Sequence, residues 1–110
     1  MSRRSDRDRL ADIATACEAI RSYLTRSKVG DDIVYDAIRA RLIEIGEAVK
    51  DLDPKLIATE PDIPWAEIAR MRDQLTHHYF DTAHSIVHAT AANDVPKLAA
   101  AVQRLLAASD

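Results

Sequence analysis

The sequence predicts an all-α fold, an antiparallel helical bundle of about five helices formed by a single domain over residues 1–110. Three observations lead there. Turn formers are scarce, with 2 Gly and 4 Pro in the whole chain, while Ala, Arg, Ile and Leu are abundant, a set weighted toward side chains that favour helices. Apolar residues recur every three or four positions in several separate stretches, as they do on helices with one buried face. The connections between those stretches are short, which sets consecutive helices antiparallel.

The first helix is expected from about Ser5 to Ser27, with Leu10, Ile13, Cys17, Ile20 and Leu24 as its apolar stripe. Gly30 breaks the chain, and Asp31 or Asp32 caps a second helix running to about Leu52. Val34, Ile38, Leu42, Ile45 and Val49 line its core face. A second surface of that helix carries Ala40, Ile43, Gly46 and Glu47, which reads either as an ordinary surface with one buried isoleucine or as a face whose small residues permit close approach of another helix, including one from a second copy of the chain. Residues 53–64 hold Pro54, Pro61 and Pro64 and read as a loop with room for one short helical turn. Pro64 suits the first turn of a third helix, which sends Trp65, Ile68, Met71 and Leu75 inward and ends near Tyr79 or Phe80. Asp81 or Thr82 caps a short fourth helix containing Ile86 and Val87, and Asn93-Asp94 is expected to break it. Pro96 falls near the first turn of a fifth helix with the stripe Val95, Leu98, Val102, Leu105 and Leu106.

Composition narrows the function. The formal net charge of −3 gives no general polyanion-binding surface. The one basic stretch, Arg3, Arg4, Arg7 and Arg9, reads first as a solvated helix start and second as a nucleic-acid contact. Cys17 is the only cysteine, so no internal disulfide can form, and its place in the first stripe makes it a core residue. No apolar run is long enough for a membrane span, and the Arg-rich start lacks the apolar stretch of a signal peptide, so a cytoplasmic protein is expected. His84 and His88 share a helix face at a spacing that can bind zinc, but no cysteine ligands or H-E-x-x-H pattern accompany them. No metal or other cofactor is expected.

The chemistry concentrates in Arg72-Asp73-Gln74-Leu75-Thr76-His77-His78-Tyr79, where Arg72, His77 and Tyr79 follow the order R-x4-H-x-Y. Arginine can grip a phosphate with paired donors, histidine can move a proton near neutral pH, and tyrosine offers a phenolic hydroxyl. Arg72 falls on or beside the apolar stripe of its helix, so its guanidinium needs an anion or a wet cleft. The plainer alternative is an arginine that reaches outward or pairs with a nearby carboxylate. On a straight helix His77 leaves roughly 140° from Arg72 and roughly 7.5 Å along the axis. The two converge only if the helix distorts near Thr76 or if the same segment of a second chain supplies the missing half.

This segment resembles the signature of the HEPN superfamily and, more narrowly, of HepT-like proteins, the toxin halves of MntA/HepT toxin–antitoxin pairs. Ile45-Gly46-Glu47-Ala48 and Asn93-Asp94-Val95-Pro96-Lys97-Leu98 are similar to further stretches of those proteins, and the resemblance covers nearly the whole chain. It implies a HEPN-like homodimer acting as a ribonuclease of a type VII toxin–antitoxin pair. Arg72 and His77 would be the catalytic residues of a composite site at the dimer interface. Asp73 and Tyr79 would support them. Tyr79 would be the adenylylation site through which an MntA-like nucleotidyltransferase antitoxin silences the toxin. The position of Asp73 is often Asn in the family, and here it sets a negative charge beside the phosphate site. The expected substrate is RNA and not DNA, because the 2′-hydroxyl is the nucleophile. The competing expectation is a non-catalytic helical module that binds a nucleotide or a nucleotidyltransferase partner.

Overall fold

The computed structural model describes residues 5–26, 32–77 and 84–108, with the backbone alone for 84 and 85. Helix α1, Asp6–Arg26, opens with a reciprocal cap. Ser5 Oγ accepts the Asp8 amide at 3.1 Å, and Asp8 Oδ2 accepts the Ser5 amide at 3.3 Å. Its stripe buries Leu10, Ile13, Ala16, Cys17 and Ile20, leaving Leu24 half-buried. The Cys17 thiol sits in that core, and burial pushes its pKa up to about 11, as suits a packing residue and not a nucleophile. The basic start is tied into the fold. Arg9 pairs with Asp6 at 3.4 Å, and Arg7 Nη1 donates to the Leu106 carbonyl at 3.3 Å. Arg3 and Arg4 lie outside the described residues.

Helix α2, Asp32–Lys50, is the centre of the bundle, packing on α1 along one side and on α4 along another. Ile38, Leu42, Ile45 and Val49 are buried as expected, with Tyr35 added and Val34 only half-buried. A single turn, α3, Pro54–Ile57, follows. Asp53 caps it by accepting the Lys55 amide at 2.9 Å, with Pro54 at a first-turn position where its missing N–H costs nothing. Helix α4, Trp65–His77, starts one residue after Pro64 and buries Trp65 and Leu75 fully, Ile68 and Met71 in part. Trp65 Nε1 donates to the Glu60 carbonyl at 3.0 Å, and Glu60 in turn holds Arg104 of the last helix through both carboxylate oxygens. The expected helix end at Tyr79 or Phe80 and the caps at Asp31, Asp81 and Thr82 lie outside the described residues.

The expected break at Asn93-Asp94 does not occur. Helix α5, His84–Ala89, passes through a π-helical turn, Thr90–Asp94, directly into α6, Val95–Ala108. Pro96 explains the widened turn. A proline inside an α-helix lacks the N–H for the carbonyl four residues back, and its ring crowds that carbonyl. One wide turn just before Pro96, with the Val95 amide reaching back five residues to the Thr90 carbonyl, takes up the mismatch without ending the helix. Val95, Leu98, Ala101, Val102 and Leu105 then face the core against α1. Among the described residues no helix is long and apolar enough to cross a membrane.

Candidate active site

Arg72, with Asp73 beside it, sits on the α4 side of the seam with α2. Gly46 is the small residue that closes this seam. A Cβ built at Gly46 would lie 2.6 Å from Arg72 Cβ and 3.1 Å from the Ile68 carbonyl oxygen. The small-residue surface of α2 therefore receives α4 of the same chain at Gly46, where a second copy was the alternative. Replacing Gly46 with Ala is expected to force the helices apart. Overpacking costs about 1–3 kcal/mol and is offset by about 1 kcal/mol of helix propensity. Since the atoms in the way cannot rotate aside, a net loss of about 1–2 kcal/mol is expected. A thermal melt reads this as a lower Tm; an unchanged Tm would show that the seam opens without cost.

The close approach sets Arg72 beside Glu47. Arg72 Nε donates to Glu47 Oε1 at 3.0 Å, Nη2 lies 3.0 Å from the same oxygen, and Nη1 donates to Asp73 Oδ1 at 2.8 Å. The Arg72 side chain is about one-third exposed, and its guanidinium meets two carboxylates at the rim of the seam. Hydrogen bonds to Asp73 and then Glu47 keep the Arg72 guanidinium more firmly protonated than usual. The Asp73 carboxyl is held below its ordinary value, first by the hydrogen bond from Arg72, with added attraction from Arg72, His77 and Lys50. It is an anion throughout the neutral range.

His77 is the last residue of α4 and is exposed. The helix stays α-helical through that point, and Thr76 Oγ1 donates back to the Arg72 carbonyl at 2.7 Å. No change of helix type falls between Arg72 and His77. On a regular helix that spacing turns the two side chains roughly 140° apart. Tyr79 and His78 lie outside the described residues, as does the side chain of His84. Among the described residues no group of three or more His, Cys, Asp or Glu side chains converges.

One residue that shapes the site went unnoticed in the sequence. Arg39 of α2 donates through Nε at 3.1 Å and Nη2 at 2.9 Å to the Leu75 carbonyl. It thereby joins α2 to the turn of α4 that carries His77. Its signal was present: Arg39 stands seven residues before Gly46, two helix turns along the same face of α2. A separate groove of about 510 Å³ opens on another side of α4, floored by Ile68, Met71, Leu75, Val87 and Leu98. Neither Arg72 nor His77 lines it.

The family model described as "Ribonuclease HepT-like" matches residues 13–105. A protein of Thermococcus cleftensis named "Probable ribonuclease HepT" is 37% identical over 108 residues, covering 94% of this chain and 97% of that protein. A protein of Caldanaerobacter subterraneus subsp. tengcongensis, named provisionally as an RNase, is 34% identical over 89 residues, covering 81% of this chain and 80% of its own length. One of Methanocaldococcus jannaschii, also named provisionally as an RNase, is 41% identical over 66 residues, covering 60% of this chain and 54% of its own. No solved structure matches the chain significantly.

Proposed function

The chain belongs to the HepT-like ribonuclease family, and on that premise we propose that it is a metal-independent endoribonuclease, the toxin of a type VII toxin–antitoxin pair. Two copies place their α4 segments about a two-fold axis and share one RNA-cutting groove. The observation that carries this reading is the placement of Arg72 and His77 on one uninterrupted stretch of α4, where regular helix geometry turns them roughly 140° apart. A second copy related by symmetry supplies each with the partner that its own helix turns away.

RNA brings its own nucleophile. His77 takes the 2′-hydroxyl proton as that oxygen attacks the adjacent phosphorus, and the bond to the 5′ oxygen breaks. Arg72 offsets the charge that grows on the phosphoryl oxygens. His77 of the second copy protonates the departing 5′ oxygen. The products are a 2′,3′-cyclic phosphate and a 5′-hydroxyl, and DNA is spared for want of the 2′-hydroxyl. Incubating the purified protein with RNA in excess chelator tests this. Cleavage with cyclic-phosphate ends is expected; cleavage that stops on chelation would assign the reaction to a metal.

Silencing follows from the neighbourhood of Tyr79, two residues beyond His77. A nucleotide attached there by an MntA-like nucleotidyltransferase antitoxin adds phosphate charge and a bulky base close in sequence to His77, excluding RNA by charge and volume. A second reading, a non-catalytic module for a nucleotide or a nucleotidyltransferase, is favoured by one observation: Arg72 is already engaged by two carboxylates.

A further inference from the structure

Three contacts hold Arg72, and they are not equivalent. Asp73 is the next residue on the same helix, two-thirds exposed, and reaches only Nη1. Glu47 comes from α2, across the seam, and one of its oxygens takes the side edge of the guanidinium, Nε together with Nη2. The placement of Glu47 is imposed by packing. Its neighbour Gly46 is buried against the backbone of α4, so the Cα of Glu47 cannot shift relative to Arg72 without opening the bundle.

We propose that Glu47 is a positioning residue: it fixes the side edge of Arg72 from the neighbouring helix, so that the Nη1 end is the part presented to an RNA phosphate once that phosphate displaces Asp73. This rests on the ribonuclease reading above. An arginine side chain has many rotamers, and a guanidinium gripped on one edge has few. Asp73, exposed and held by a single contact, is the exchangeable anion of the pair. Glu47 is the retained one, because leaving Nη1 free for phosphate does not require breaking its grip on Nε and Nη2.

A simple surface carboxylate and a positioning one have opposite signatures. Removing a negative charge near a phosphate site tightens RNA binding and lowers KM. Removing a positioning contact lowers kcat, since about 1 Å of misplacement at a reacting centre costs on the order of a hundredfold. The experiment measures kcat and KM for RNA cleavage by wild type, Glu47→Ala and Glu47→Gln, with thermal melts of each. The expected result is a kcat for Glu47→Ala lower by about ten- to a hundredfold, with partial recovery in Glu47→Gln, whose amide oxygen can still accept from Nε. Glu47→Gln preserves size and carries the test if the Ala variant unfolds. Unchanged kcat with lowered KM in the folded variants would overturn the inference and leave the ribonuclease reading standing. A folded wild type that cuts no RNA would overturn both.

Discussion

RNA cleavage by the His77→Ala protein is expected to fall by about 10²–10⁴-fold, the usual weight of a proton-transfer group placed at the reacting bond. Stability should hardly move. His77 is exposed at the last position of α4, and exposed substitutions away from packed features usually stay within about 0.5 kcal/mol. The carbonyl of Leu75 nearby is held by Arg39 from α2 and not by His77, so the end of α4 keeps its anchor. The measurement pairs cleavage rates on a defined RNA with melting curves. A variant that cuts RNA at the wild-type rate would remove His77 from the reaction. A wild type that cuts no RNA would favour the binding-module reading, under which His77→Ala should retain any nucleotidyltransferase partner.

The Arg72→Ala protein is expected to lose about 10²–10³-fold in kcat, as when one preorganised donor to a developing oxyanion is removed. The Ala side chain keeps the Cβ that packs over Gly46, so the α2–α4 seam remains closed and the loss is one of chemistry. Glu47 and Asp73 lose their shared cation, but both are exposed and can turn to water. Arg72→Lys should recover only part of the activity. An ammonium retains the charge but cannot meet Glu47 along one edge and a phosphate along another. Growth arrest on expression without any partner is the cellular counterpart. Wild type should arrest growth and degrade RNA, and Arg72→Ala should do neither. Equal toxicity of the two would remove Arg72 from the reaction.

The helices themselves were legible from residue order alone. Stripes such as Leu10, Ile13, Cys17 and Ile20 repeat at the period of a helix turn, and one buried face per helix demands a bundle. The divergence of Arg72 and His77 was equally legible, because five residues along an α-helix is a matter of geometry. It was also clear that Arg72 required an anion. Three things came only with the tertiary structure. Asn93, Asp94 and Pro96 look locally like a stop, and whether the chain stops or widens one turn depends on whether α1 offers a surface that α6 can reach while continuing. Gly46 announces a close approach, but its partner, α4 of the same chain, is chosen by how the whole bundle packs. The anions on Arg72 were open as well, since Glu47 is 25 residues away and becomes a neighbour only when the two helices meet. Periodicity is a property of each segment by itself, whereas a contact across a seam depends on two segments and the volume between them.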